Sequence, residues 1–351
     1  MNKSTLYESL AKHLDQGVIG AVKSPALMEM LEILYPGEEV KIAVDLPFEG
    51  KTMTELKQLF PDRADTLDEI IQSMVRRGTV FTQQRPGTEM QYSLLPVLVG
   101  WAETPYWAGK ETEEARKLAP LWLKYREEAF GSELARGMPT VRVIPVSESL
   151  KNESEVLPFD ILKDMIDKLS FRAVGHCPCR QIMRYNGKGC DHSLENCLHF
   201  GSMGRHMVAQ GMAREISTEE TLKIVYEADQ EGLVHVCENI DGHLGTICNC
   251  CGCCCAFLNT NKMMGLKTFA PSNYVARVDQ ELCAGCGICE ERCPMEAAAL
   301  EGDTATVNEA NCIGCGVCKA TCSTEAIGLV QRDSVNPPPD LNKFFEARYK
   351  M

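Results

Sequence analysis

Apolar residues recur at helical spacing through the first third of the chain, and polar capping residues separate the segments. Ser24 and Pro25 form a helix start, with a capping serine followed by proline at the first helical position. Thr52 and Glu55 have the spacing of a capping box before a short helix that runs through Phe60. The apolar positions that predict the helix after Ser24 are Leu27, Met28, Met30, Leu31 and Leu34.

A longer amphipathic helix and a hairpin follow. Asp65 is predicted to cap the helix, which ends at Gly78. Two short β-prone runs at 79–81 and 91–94, joined by a turn at 85–87, predict the hairpin. Three helices and a hairpin are the element order of a winged helix, so we assign residues 1–130 to a winged-helix-like and helical domain. A last helix over 112–130 is expected to pack in its core through Leu118, Leu121, Trp122 and Tyr125.

Winged helices often bind DNA through the helix that this pattern places at residues 65–77. That helix carries acidic as well as basic residues, so it has too little net positive charge to neutralise several phosphates. Its charged residues are Asp65, Asp68, Glu69, Arg76 and Arg77. We therefore expect a docking or dimerising module, with no nucleic acid as partner.

The middle of the chain is rich in cysteine. Residues 131–156 combine glycine, proline, serine and charge around an extended run at 141–145, which predicts a connector. A helix over 158–169 then leads into a central cysteine-rich α/β region, residues 157–271, of a multidomain α+β chain. We expect the isolated Cys237 in the core. The ten candidate metal ligands are Cys177, Cys179, Cys190, Cys197, Cys248, Cys250, Cys251, Cys253, Cys254 and Cys255.

The dense block at 248–255 indicates a metal, because buried thiols are rarely so crowded without one. Neighbouring side chains in a strand point to opposite faces and those of a helix align at i, i+3 and i+4, so one site cannot use all six cysteines. We expect at least one further iron–sulfur cluster, with zinc as the first alternative and redox-active or merely buried thiols as the second. Arg180 and Arg184 either offset cluster charge or are solvated.

The C-terminal part contains one cysteine pattern twice. Cys283, Cys286, Cys289 and Cys293 form the first run, and Cys312, Cys315, Cys318 and Cys322 form the second, 29 residues later. Gly285, Gly287, Gly314 and Gly316 occupy the gaps, where a loop curling around a cluster needs positive φ and close backbone approach. The residues flanking the runs also recur at this offset, which indicates a repeated strand–loop–helix unit.

Each run resembles the C-x2-C-x2-C-x3-C run of the bacterial two-cluster ferredoxins, over about residues 275–331. In that family the fourth cysteine of one run ligates the cluster held by the other. The resemblance implies a two-[4Fe-4S] ferredoxin fold at 272–331 with two clusters. The first is expected on Cys283, Cys286, Cys289 and Cys322, and the second on Cys312, Cys315, Cys318 and Cys293.

A second resemblance covers about residues 171–257. Cys177-Pro-Cys-Arg180 and the Cys-Cys-Gly-Cys-Cys block at 250–254, followed by a two-cluster ferredoxin, are similar to ferredoxin-domain proteins of anaerobic bacteria and archaea. The tail, residues 332–351, is predicted to form a helix whose apolar face packs either on a partner or on its own domain. That face contains Leu341, Phe344, Phe345 and Tyr349.

Composition limits the classes of partner and the location that we expect. The formal net charge of −13 argues against nucleic acid and favours basic protein partners. Nineteen cysteines and an N-terminus without an apolar run predict a reducing cytoplasmic location, and no stretch is apolar enough to span a membrane.

The sequence thus predicts an iron–sulfur electron-transfer protein of low potential, a component of an anaerobic oxidoreductase. The expected partner is a flavin or iron–sulfur oxidoreductase, with a second copy of the chain as a further candidate. Two alternatives stay open: a reductase with a catalytic metal site in the central region, and a redox-sensing winged-helix regulator.

Overall fold

In the computed structural model, which describes residues 2–145 and 162–348, the N-terminal part is mainly helical. Its three short strands form an antiparallel sheet in the order β1-β3-β2. The elements are α1 (Lys3–Leu14), α2 (Pro25–Leu34), α3 (Glu39–Ala43), β1 (Lys51–Thr52), α4 (Met53–Leu59), α5 (Leu67–Arg77), β2 (Val80–Gln83), β3 (Gln91–Leu94), α6 (Thr104–Trp107), α7 (Glu113–Tyr125) and α8 (Gly131–Leu134).

Local capping signals place several of these helix boundaries. The Ser24 side chain accepts from the Leu27 N–H at the start of α2, and Thr52 and Glu55 make both bonds of a capping box at α4. Helix α5 ends at Gly78 with a φ of 77°. Its predicted cap at Asp65 is wrong: a turn beginning at Pro61 continues to Thr66, which precedes the helix without a capping side-chain bond.

The central part is built on a six-stranded sheet in the order β4-β8-β9-β6-β5-β7. Every pair of neighbouring strands is antiparallel, so the central region is α+β and the expected α/β arrangement is wrong. The elements are β4 (Val141–Ile144), α9 (Leu162–Asp167), β5 (Arg172–His176), α10 (Pro178–Tyr185), β6 (Glu195–Phe200), α11 (Gly201–Ala209), β7 (Arg214–Glu215), α12 (Thr218–Glu231), β8 (Val234–Glu238), β9 (Thr246–Cys250) and α13 (Ala256–Met264).

The two faces of this sheet bury different partners. One face packs against α9 and α12, and it contains Cys237, which is a buried core residue as expected. The opposite face packs against α13 and the C-terminal part, and it contains Cys248 and Cys250. Because strand residues alternate between faces, these two cysteines point the same way while Cys237 points away from them.

The C-terminal part contains two strand pairs, β10 with β13 and β11 with β12. Its duplicated sequence gives a duplicated backbone: Glu296 and Glu325 both have positive φ, at 54° and 55°. The elements are β10 (Tyr274–Val278), α14 (Ile288–Arg292), β11 (Ala298–Glu301), β12 (Thr304–Val307), β13 (Ile327–Gln331) and α15 (Leu341–Arg348).

One expectation about a linking segment is corrected, and the two alternatives for the tail helix are decided. The run at 141–144 is strand β4, an edge of the central sheet paired with β8, so it is not a connector, and residues 146–161 lie outside the described part. Helix α15 packs on its own chain: Phe344 is buried, and the buried Arg348 donates to the Val18 carbonyl at 3.1 Å. Tyr349 lies outside the described residues.

The N-terminal and central parts share one hydrophobic core, which extends from Tyr7 to Ala256. A buried contact also joins the hairpin to α11. The ring of His206 lies against that of Phe81 in a tilted arrangement, and its Nδ1 accepts the Thr82 N–H at 3.1 Å. The hairpin is therefore held against the central part.

This contact predicts a pH effect. Burial lowers the pKa of His206 from 6.5 to about 4, so between these values the unfolded chain binds a proton that the folded chain excludes. The contribution of neutral His206 to the free energy of unfolding is largely present above pH 6.5. It decreases as the pH drops, by about 1.4 kcal/mol at pH 5.5. Between pH 7.5 and 5.5 we expect the free energy of unfolding, measured by thermal unfolding, to fall by about 1.4 kcal/mol more in wild type than in His206→Asn. Equal losses would contradict this role.

Candidate metal centres

The eight cysteines of the C-terminal repeat line two small cavities. One cavity is lined by Cys293, Cys312, Cys315 and Cys318. The other is lined by Cys283, Cys286, Cys289 and Cys322, with Cys318 also at its edge. Each cavity thus brings together the four cysteines that the sequence groups, with the fourth member supplied by the other run.

The cysteine loops have the backbone that their glycines predict. All four gap glycines have positive φ, between 63° and 78°. A Cβ on Gly314 would lie 2.1 Å from the Tyr274 carbonyl oxygen, so the chain can pass there only without a side chain. Backbone N–H groups of Ala297 and Ala305 donate to the sulfurs of Cys293 and Cys283 at 3.1 and 3.3 Å. Such bonds stabilise negative charge on a cluster and tune its potential.

Burial keeps the Cys315 thiol protonated unless a cation is bound to it. Burial is the largest influence on Cys315 and raises its pKa to about 12. A thiol with this pKa stays protonated at neutral pH, whereas a coordinating thiol is deprotonated by the charge of its metal. The cavity around Cys315 therefore fits an iron–sulfur cluster.

The ten candidate cysteines of the central part form two neighbouring groups, and Cys251 and Cys254 of the first group also line the cavity beside the second. The first, here called the tetrathiol site, contains Cys190, Cys251, Cys253 and Cys254, whose sulfurs all lie within 4.8 Å of one another. Cys190 comes from the loop after α10, and Arg184 fixes this loop by donating to the carbonyls of Cys190 and His192 at 2.9 and 2.8 Å. The other three come from the turn after β9.

The second group, here called the cavity thiols, lies on the sheet face opposite Cys237. The strand register places Cys197 of β6 beside Cys248 of β9, and Cys250 lies two residues further along the same face. Cys177 and Cys255 are the N-cap residues of α10 and α13, so the positive ends of two helix dipoles point to this group. The six cavity thiols are Cys177, Cys179, Cys197, Cys248, Cys250 and Cys255.

Hydrogen bonds lower the pKa of one thiol in each group. Bonds from Cys197 and Cys250 lower the pKa of Cys248 well below its ordinary value. In the tetrathiol site, bonds from Cys253 and Cys254, with the nearby Arg180, do the same for Cys251.

Arg180 is the buried cation between the two groups. Its side chain has no exposed surface, and it donates to Ser193, Asn196 and Asn249. Of the two alternatives for this arginine, the offset of negative charge therefore fits its surroundings and solvation does not.

A cavity of about 680 Å³ opens in front of the cavity thiols. It is mostly apolar, with Phe48, Phe81, Trp122, Phe200 and Phe344 in its lining. Its volume is in the range of small-molecule sites.

Two features of the cavity wall come from the N-terminal part. Val99 lies in the left-handed region, with φ 48° and ψ 49°, which is strained for a β-branched residue. Burial, followed by the charge of Cys248, raises the pKa of Glu103 to about 8. Neither residue was a candidate from the sequence. The signal for Glu103 was a single carboxylate directly after the apolar run at 94–102.

His199 also lies on the thiol face of the sheet. Its Nε2 is 3.2 Å from the Cys197 sulfur, and its ring meets Trp107 edge to face. Burial lowers the pKa of His199 to about 4, so it is neutral at pH 7.

The C-terminal part contacts the central part beside the cavity thiols. Cys250 and Cys255 share a hydrophobic cluster with Cys315, and Cys293 packs against it. A Cβ on Gly252 would lie 2.2 Å from the Pro294 carbonyl oxygen, so the two parts touch at this glycine. Arg292 extends the contact by donating to the carbonyls of Asp229 and Gln230 at 3.0 and 3.2 Å.

Residues 276–323 match the family model of a 4Fe-4S dicluster domain. The chain therefore contains an iron–sulfur, ferredoxin-like domain near its C-terminus, which supports a role in electron transfer. No curated protein and no solved structure matched the chain. Within the described ranges, no helix is both long enough and apolar enough to cross a bilayer.

Proposed function

We propose that this chain conducts electrons between a redox partner and the cavity thiols, through two [4Fe-4S] clusters in its C-terminal domain. One cluster is held by Cys283, Cys286, Cys289 and Cys322, and the other by Cys312, Cys315, Cys318 and Cys293. The single observation that best supports this route is the packing of Cys293 and Cys315 against Cys250 and Cys255. A cluster on Cys312, Cys315, Cys318 and Cys293 would lie next to the central thiols through this contact.

The cavity thiols hold a third iron–sulfur cluster in this proposal. All six line the same cavity, which offers more than the four thiolates that a cubane needs. Two helix N-termini and the Arg180 guanidinium balance the negative charge of such a cluster.

The partner docks at the first cluster. Cys286 is exposed, and Leu282 and Ile288 beside it are exposed by 52% and 39%. The exposed carboxylates of Glu281, Glu290 and Glu291 surround this patch. A redox protein with an apolar centre and a basic rim, such as a flavin or iron–sulfur oxidoreductase, complements this surface.

The chain's second candidate function is reduction of a small, mostly apolar substrate in the cavity. The apolar walls support it, together with Glu103, whose raised pKa keeps a proton available at pH 7. Two electrons from the clusters and two protons, one of them from Glu103, would complete such a reduction.

The regulator alternative has less support. The order α2, α4, α5 and a three-stranded sheet agrees with a winged helix, but strand β2 packs on α11 through Thr82 and His206. Arg77 of α5 forms ion pairs with Glu39 and Glu114, so its positive charge is already balanced by carboxylates and is not available to a DNA phosphate. A structural role for this unit, as a wall of the cavity, accounts for these contacts.

Iron counting tests the proposal. Protein purified without oxygen is expected to contain about 12 iron atoms per chain, four for each cluster. Cys248→Ala combined with Cys250→Ala should lower this to about eight, because two cavity thiols are lost. Cys237→Ala is the matched control, a buried cysteine of the same sheet on its other face, and should retain about 12.

A wild-type count of about eight would remove the third cluster from the proposal. A count of about eight in the control as well would mean that the loss reflects folding, and the assignment of the cavity thiols would fail.

A further inference from the structure

The tetrathiol site differs in scale from the other cysteine groups of the chain. The sulfur of Cys190 is 3.8 Å from that of Cys251 and 3.6 Å from that of Cys254. The sulfurs of Cys253 and Cys254 are 3.7 Å apart. A regular tetrahedron with zinc–sulfur bonds of about 2.3 Å has sulfur–sulfur edges of about 3.8 Å. These three distances match the edges of such a tetrahedron, and the remaining three sulfur pairs lie within 4.8 Å.

The ferredoxin cysteines provide an internal comparison. In a cubane each thiolate binds a different iron, so the cluster body holds the ligand sulfurs apart. Among the described residues, which include all 19 cysteines, the tetrathiol site is the one group of three or more candidate ligands within 4.8 Å. The eight cysteines of the repeat form no such group, and neither do the cavity thiols. Convergence of four sulfurs within 4.8 Å thus distinguishes the tetrathiol site from the other described cysteine groups.

We propose that Cys190, Cys251, Cys253 and Cys254 bind a single zinc ion with a structural role. Four protein thiolates complete the tetrahedron and leave no open position, as in structural zinc sites. Zinc has no redox chemistry, so this ion takes no part in electron transfer. The site goes beyond the proposed function, which needs iron only at the cavity thiols and in the C-terminal domain.

The surroundings fit a structural ion. Four thiolates and one Zn²⁺ leave a net charge of −2, and the buried Arg180 lies against Cys251 to offset it. The ion joins the loop after α10 to the turn after β9, two segments distant in sequence. That turn contains Gly252, which touches Pro294, so the zinc fixes the surface on which the C-terminal domain docks.

Metal analysis and X-ray absorption on the full chain test this site. Protein purified without oxygen is expected to contain about one zinc per chain beside its iron, with four sulfur neighbours at about 2.3 Å. In Cys190→Ala the zinc retained after dialysis against a chelator should fall about tenfold or more, with iron unchanged. Cys237→Ala should retain both metals.

Each other result would overturn the zinc assignment. A loss of about four irons in Cys190→Ala would make the site a cluster, and one iron with no zinc would make it a mononuclear iron site. Zinc bound to nitrogen or oxygen in the wild type would place the ion elsewhere. The wild-type absorption spectrum decides the question even if Cys190→Ala fails to fold. Because the readout is zinc, failure here is distinct from an iron count that contradicts the electron route.

Discussion

Replacing Cys286 by alanine is expected to remove one cluster of the C-terminal domain and leave the other, with a loss of about four iron atoms per chain. Cys286 lines only the cavity shared with Cys283, Cys289 and Cys322. A cubane that loses one of its four thiolate ligands is poorly held, particularly where the position is exposed to solvent.

The complementary variant is Cys315→Ala. It should remove the second cluster, again with a loss of about four iron atoms per chain, and leave the first. Iron analysis with electron paramagnetic resonance of the reduced protein distinguishes the two survivors, because they differ in burial and hydrogen bonding. If either variant lost both clusters, or if both variants left the same spectrum, the grouping of four and four would be wrong.

A methyl group at Gly252 is expected to interrupt the electron route without removing a ligand. The new Cβ would lie 2.2 Å from the Pro294 carbonyl oxygen, a backbone atom that cannot rotate away. Such overpacking costs about 1–3 kcal/mol. At that cost the docking equilibrium of the C-terminal domain is weakened roughly five- to 150-fold. Gly252→Ala should therefore keep its iron while the cavity cluster is reduced more slowly from the C-terminal clusters.

Gly328→Ala is the matched control, because nothing lies within 4 Å of its Cβ position and it also belongs to the C-terminal domain. Rapid-freeze electron paramagnetic resonance after reduction of the C-terminal clusters measures transfer in all three proteins. Transfer as fast in Gly252→Ala as in wild type, with iron intact in both, would show that electrons do not cross at this contact.

Local patterns predicted the helix boundaries well because the deciding interactions lie within a few residues. The cap at Ser24, the capping box at Thr52 and the stop at Gly78 each depend on bonds inside one turn. The cap predicted at Asp65 was wrong for an equally local reason. The turn that begins at Pro61 continues to Thr66, so α5 starts one residue later than predicted. The antiparallel order of the central sheet was not predictable in this way, because its pairs join strands distant in sequence.

The sequence alone determined the C-terminal domain, since both cysteine runs, their glycines and the repeat lie within some sixty residues and match a 4Fe-4S dicluster model. Only the tertiary structure decided how the ten central cysteines divide. Strand alternation puts Cys248 and Cys250 on one face of the sheet, whereas the turn after β9 brings Cys251, Cys253 and Cys254 to Cys190. That division depends on the packing of segments about 60 residues apart, and spacing along the chain does not encode it.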